Sequence, residues 1–423
     1  MKLTIALFLS ISLPLYADTF NVRDFGATGD GHTLDTAAIQ KAVDSASAAG
    51  GGTVLVPSGN YLTDPLTLAS GIDLHLDANA VILIDNDLTR YPVDQKRYVD
   101  AITATGAHDL GISGDGAIDG QGEVWWQAFR DNPNMTHRPY MIKFLKCTRL
   151  KITGVTLRNS PMFHLVTQNC TDVTISGITI KSPEHAANTD GIDPSGWNFL
   201  ITGCNIDTGD DDIAIKPAPG SGRTPGNKHF VVKNCTFGHG HGMSVGGGSA
   251  GGLEDLLVDN CTFYQTDYGI RIKTLRGNGG LLTNCIYQNL WMFGIKKSPI
   301  SIMDYYPERD APKDPATETA VPITDRTPLN CNILIQNVNA IYCPNAGIIR
   351  GLPEAPIDGL TFSNVNLSAT TGMTIYHARN VRFVDSTISP AQGQALTTFD
   401  AAVTGLKQKQ VFDSDWMRII NAN

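Results

Sequence analysis

Six stretches of the chain read alike when set under one another: LKITGVTL (150–157), VTISGITI (173–180), LITGCNI (200–206), VVKNCTF (231–237), LLVDNCTF (256–263) and LLTNCIY (281–287). Each is a short β-branched and aliphatic run that a turn interrupts. After each comes a second short run: FHLV at Phe163–Val166, GIDP at Gly191–Pro194, DIAIK at Asp212–Lys216, GMSVG at Gly242–Gly246, GIRIK at Gly269–Lys273 and GIKK at Gly294–Lys297. Taking Gly191, Asp212, Gly242, Gly269 and Gly294 as equivalent gives steps of 21, 30, 27 and 25 residues. Steps of this length signal a solenoid. Propeller blades need about forty residues and four antiparallel strands each, so the spacing excludes them. Two strands and two or three turns per repeat, with no helical pattern between, predict an all-β, right-handed parallel β-helix whose coils stack at the ~4.8 Å strand spacing.

Such a solenoid needs a cover over its open apolar end. The chain offers one before the first coil. Asp35 stands at an N-cap position, Ala38, Ile39, Ala42, Val43 and Ala46 follow at helical spacing, and Gly50–Gly52 end the run. TVLVPSGNY (53–61) then starts the first coil, and the four prolines and mixed charge of Asp310–Pro328 read as a long surface loop.

Composition agrees with many strands and turns. Glycine is 42 of 423 residues, and only 17% of residues are charged against a usual quarter. The formal charge of −9 argues against a nucleic-acid or anionic-membrane partner, although a local cluster of Arg and Lys can still attract an acidic polymer. Residues 1–17 combine Lys2, an apolar run from Leu3 to Leu15 and the small Ala17, which reads as a secretory signal too short to span a bilayer. The remaining 18–423 are expected to form one domain, exported to the periplasm or the cell exterior. Of eight cysteines, Cys170, Cys235, Cys261, Cys285 and Cys331 follow asparagine. A ladder of small buried side chains explains that pattern better than a disulfide framework. Zinc is not indicated, since there is no CxxC pair and no matching His pair.

The unusual residues fall at fixed places in the repeat. Asp190, Asp211, His241 and Tyr268 immediately precede the equivalent points, with Asn188 and Asp210 just outside. Arg271 and Lys296 lie two residues after them, and Lys216 and Lys273 four after. Alternation puts these even offsets opposite Ile213, Ile215, Met243, Val245, Ile270 and Ile272, which face the core. A lone Asp-Gly would be an ordinary turn. Three successive aspartates, Asp210–Asp212, beside an imidazole and cations on the next coils, have the composition of a carboxylate-based hydrolase, one carboxyl protonated and one ionised. Crowding raises the proton affinity of at least one of them. Asp210 and Asp211 can both face one cleft only if the chain bends, so a turn is expected at Gly209. His239 is read as structural.

These residues carry a resemblance. NTDG (188–191), GDD (209–211), GHG (240–242) and RIK (271–273) resemble, in order and spacing, the four signature motifs of the polygalacturonases, glycoside hydrolase family 28. NVRDFGATGDGHTLDTAAIQ (21–40) and GGGTVLVPSGNY (50–61) extend the likeness over most of the chain. The resemblance implies inverting hydrolysis of α-1,4 bonds between galacturonic acid units, without a cofactor or metal, by a monomer acting on pectic oligosaccharides. It implies Asp210 as general acid, and Asp190 with Asp211 orienting and deprotonating water. It also implies His241 tuning the acid, and Asn188, Arg271, Lys273 and Tyr305 contacting substrate. Asp212 departs from the family, which often has cysteine or asparagine there, as does Gly247 where serine is common. SPMFH (160–164) resembles endo-acting bacterial enzymes, whereas the Asp310–Pro328 loop suits an exo-acting one; endo action is the expectation and exo action the alternative. A hydrolase of decorated pectin, a calcium-dependent pectate lyase and a noncatalytic polysaccharide-binding β-helix are the other readings.

Overall fold

The computed structural model describes residues 18–89, 91–218, 224–247 and 251–406; the export segment expected at 1–17 lies outside them. The strands form one continuous ladder of parallel pairs, and among the described residues only the short hairpin Val93–Asp94/Arg97–Tyr98 is antiparallel. Each strand pairs with its counterpart one coil away, as in Ile206↔Phe237↔Phe263. Parallel neighbours joined by same-sheet crossovers wind right-handed. The expected right-handed parallel β-helix is therefore the fold.

A coil carries three strands rather than two. One ladder runs through Ile142–Leu145, Ile213–Ile215, Met243–Gly246, Tyr268–Lys273 and Ser298–Met303. The others run through Ile72–Leu76 and Asn227–Lys233, and through Thr156–Arg158 and Thr262–Tyr264. Inward residues alternate with outward ones, so Ile82, Ile118, Leu157, Ile180, Ile206 and Phe237 are all fully buried. Each such side chain contributes about 1.5–3 kcal/mol of burial before entropy is charged against it. Rings stack along the axis where the register brings them together, Phe199 on Phe230 at 4.6 Å and Phe362 on Phe383 at 4.5 Å.

Helix Thr36–Ala48 covers the N-terminal end through Ile39, Ala42, Val43 and Ala46. Asp35 sits at its N-cap position but does not cap it; its carboxylate accepts from Thr28 N, Thr28 Oγ1 and Gly29 N. That choice ties down the preceding turn. A second helix, Glu123–Asp131, lies outside the repeat pattern and buries Trp125 and Trp126. No helix among the described residues is long and apolar enough to cross a membrane.

The cysteines are free thiols, all buried except the half-buried Cys331. Cys147 stacks on Cys170, and Cys204, Cys235 and Cys261 follow one another, while Cys285 stacks between Leu256 and Ile333. What four of the five Asn-Cys pairs have in common, Asn330–Cys331 excepted, is the corner. Asn169, Asn234, Asn260 and Asn284 have φ of 51–57°, a left-handed conformation that asparagine tolerates.

The last point of the sequence alignment shifts. Tyr268 pairs with Ser298 and Ile270 with Ile300, so Pro299, not Gly294, is equivalent to Gly269. Lys296 thus leaves the strip of even offsets, and its ammonium pairs with Glu184.

Candidate active site

The segment between strands Asn205–Asp207 and Ile213–Ile215 bends at Gly209–Asp210, as two adjacent carboxylates on one cleft require. Gly240 is dictated by this bend. A Cβ there would lie 2.5 Å from both the Asp210 carbonyl and Asp212 Oδ1, so any side chain would push the His241 turn off the aspartate turn. Gly242 has φ of 72° and no room beside the Tyr268 carbonyl.

Asp211 is the hub. It is 1% exposed, accepts from Ser244 Oγ at 2.8 Å and from Lys273 Nζ at 2.5 Å, and lies 3.5 Å from Arg271 and 4.0 Å from Lys216. Burial alone would favour its neutral form. Lys273, His241, Lys216 and Arg271 outweigh that and hold it well below the usual carboxylate range. Lys216 and Lys273 converge because Gly246, stacked between them in register, has no side chain.

Asp190 is different. Burial, reinforced by the charges of Asp210 and Asp211, pushes its carboxyl up to about 6 despite Lys216 Nζ at 2.7 Å. Its neighbour Asp193, 3.3 Å from the same ammonium, is raised well above the ordinary value, chiefly by burial. Lys216 in turn is held charged by the three aspartates against the penalty of burial.

Asp210 receives the N–H of Asp211 at 2.9 Å and Asn188 Nδ2 at 3.5 Å. Asn188 has φ of 57° and is oriented by buried Arg138, whose Nη2 donates to Asn188 Oδ1 at 2.8 Å. His241 Nδ1 is 3.1 Å from Asp210 and 3.6 Å from Asp211, while Nε2 is 3.3 Å from Asp267. Burial opposes a charged ring, but these three carboxylates prevail and raise its pKa to about 11. Asp210 is lowered, because the charged His241 ring 3.1 Å away overcomes its burial.

The structure thus gathers Asp190, Asp210, Asp211, His241, Asn188, Arg271 and Lys273. Tyr305 stands apart from them in its contacts: its hydroxyl donates to Glu318 at 2.5 Å, and it is Tyr306 whose ring lies 5.4 Å from Lys273 Nζ. His239 pairs with Asp207 at 2.9 Å, a structural contact. Asp193 and Ser244 were missed although the even-offset rule contains them, two residues after Gly191 and Gly242. Arg138 and Glu308 come from irregular segments that carry no periodic signal.

Asp212 does not join the cleft. It is fully buried, its Oδ2 accepts from Gly242 N at 2.9 Å, and burial holds its carboxyl well above the ordinary value. Thr208 Oγ1 lies 3.2 Å from Asp212 Oδ1 and 3.1 Å from the Asp210 carbonyl. One hydroxyl has one proton. A protonated Asp212 donating to Thr208, which then donates to Asp210 O, satisfies both contacts and links the two turns of the site.

A solenoid face with three crowded carboxylates, an imidazolium and a row of cations defines a glycoside hydrolase that acts on an acidic polymer. The family model for glycosyl hydrolases family 28 matches residues 47–392. A Vitis vinifera protein named "Probable polygalacturonase" is 31% identical over 88% of this chain and 79% of its own length. The solved polygalacturonase of Erwinia carotovora ssp. carotovora is 28% identical, with a TM-score of 0.73, over 88% of this chain and 98% of that one. The exopolygalacturonase of Thermotoga maritima shares the fold, with a TM-score of 0.71 at 23% identity over 91% of each chain. The chain belongs to glycosyl hydrolases family 28.

Proposed function

We propose that the protein is a secreted polygalacturonase that hydrolyses α-1,4-galacturonosyl bonds in pectin with inversion. The observation that carries this reading is the convergence of Asp190, Asp210 and Asp211 beneath Arg271, Lys273 and His241 in a family 28 chain. Arg271 offers a planar fork and Lys273 a compact charge to a uronate carboxylate. Seating that carboxylate withdraws positive charge from Asp211 and Asp210, so both gain proton affinity when substrate is bound. Asp210 takes up a proton from the protonated His241, 3.1 Å away, and donates it to the leaving oxygen. Asp190, poised about 6, takes the proton of the attacking water, which ionised Asp211 orients.

Endo action is supported by the cavity that continues past Asp193, about 460 Å³ in volume and lined by Arg97, Tyr140, Lys143, Phe163 and Lys216. A polyanion has room and positive charge there. The exo alternative is supported by the 304–328 loop, which brings Tyr306 against Lys273 on the other side. A calcium-dependent lyase is less well supported: Asp190, Asp210 and Asp211 are already engaged by Lys216, His241, Lys273 and Arg271, cations that a calcium ion would have to displace. Defined oligogalacturonides incubated in chelator decide among these. Saturated mid-sized products appearing early support endo hydrolysis, monomer or dimer alone supports the exo form, and unsaturated or absent products refute hydrolysis of this substrate.

A further inference from the structure

The cation best shaped for a uronate is not free. Arg271 is 8% exposed; Nη1 faces Asp211 at 3.5 Å, Nη2 faces Glu308 at 3.5 Å, and Nε is buried without a hydrogen-bond partner. Its guanidinium carbon lies 4.2 Å from the centroid of the Tyr268 ring. The Tyr268 hydroxyl donates to Glu308 Oε2 at 3.0 Å, so one residue of the 304–328 loop bridges both groups. Glu308 places a carboxylate where a substrate carboxylate would meet the fork.

The loop is anchored for this. Glu318, deeply buried, receives Tyr305 Oη at 2.5 Å, pairs with Arg350 and lies 3.3 Å from His377 Nε2. Tyr306, two residues before Glu308, covers Lys273 at 5.4 Å. Both cations assigned to the substrate carboxylate therefore already have a partner from one fixed loop, and Glu308, 30% exposed, is the charged one.

We propose that Glu308 is a specificity-determining residue: by pairing with Arg271 it competes with a free uronate carboxylate and shifts preference towards galacturonic units whose carboxyl is methyl-esterified. A free uronate has to displace Glu308 or sit beside its charge. A methyl ester brings no charge and leaves the Glu308–Arg271 pair intact. The inference rests on the pectin-hydrolase reading but has a readout independent of cleavage.

The test compares the unaltered protein with Glu308→Gln, which keeps the shape and an oxygen for Tyr268. Trigalacturonate and its fully methyl-esterified form are titrated by calorimetry, and kcat and KM are measured on polygalacturonate and highly esterified pectin. Glu308→Gln is expected to bind trigalacturonate about fivefold tighter, equivalent to ~1 kcal/mol for one ion pair. KM on polygalacturonate falls in step, while the esterified ligand is unaffected. Equal shifts on both ligands, no shift, or weaker binding of the free acid overturn the proposal. Failure of the unaltered protein to cleave either polymer, with the affinity shift present, refutes the hydrolase reading alone.

Discussion

Lys216 Nζ sits 2.7 Å from Asp190 Oδ2, and this contact keeps the carboxyl from rising further than about 6. Asp190 must be ionised to act as base, so kcat/KM should rise with pH through that region. Lys216→Met removes the charge that lowers Asp190, and the acidic limb of the pH profile is expected to move to higher pH. The same change leaves Asp190, Asp193 and Asp211 facing one another without their shared cation, with a stability loss on the order of 3–5 kcal/mol in urea unfolding. An unmoved limb in a folded variant would refute Asp190 as the titrating base.

Asp190→Asn, Asp210→Asn and Asp211→Asn are each expected to lower kcat by about 10²–10⁴-fold or more while pectate is still bound. Release of reducing ends, measured beside calorimetric binding, separates this outcome from that of a noncatalytic binder. A binder would show no reducing ends even from the unaltered chain.

His241 is charged because three carboxylates face it. His241→Asn removes the group that supplies Asp210 with its proton. The expected result is a kcat reduced by about 10²-fold or more, with a smaller change in KM. A change confined to KM would assign His241 to substrate binding instead.

Asp212 bears on stability rather than rate. Its folded carboxyl is raised above the ordinary 3.8, so folding becomes less favourable as pH rises above that value, where the unfolded chain releases the proton and the folded chain keeps it. Asp212→Asn can donate Nδ2 to Thr208 and accept Gly242 N through Oδ1. The variant should therefore gain stability over the parent progressively above about pH 4, with activity retained. Parallel thermal melts at two pH values check the sign.

Free thiols in the core make a further claim. A reducing agent is expected to leave Tm unchanged, because no bond it cleaves holds the coils together. A large fall in Tm under reduction would restore the disulfide reading.

The repeat was legible because a β-helix coil is a local object. Ile213, Met243 and Ile270 alternate with outward residues at a two-residue period, and the next coil must repeat that pattern to bury its own inner face. The same periodicity located Arg271 and Lys273 on one side of the solenoid and contained Asp193 and Ser244 for the same reason, whereas Asp190, Asp211 and His241, one residue before the equivalent points, reach that side through the bends that precede the strands. Gly294 misled because the corner length between coils varies freely; only hydrogen-bond register shows that Pro299 takes its place. Helix Glu123–Asp131 and the placements of Arg138 and Glu308 were out of reach, since segments between coils obey no period.

Protonation, too, follows from contacts between coils. As free side chains Asp190, Asp210, Asp211 and Asp212 are the same carboxylic acid. Their depth and the cations that the fold brings within a few ångströms make Asp211 strongly acidic, Asp190 poised and Asp212 a neutral strut. The solenoid and its outward strand positions, Arg271 and Lys273 among them, follow from a short-range period legible in the chain; the bends that turn Asp190, Asp211 and His241 to the same side do not. The fold decided which of those residues carry protons and which cations are already taken, because such energies depend on distances between coils about thirty residues apart in the chain and one strand spacing apart in space.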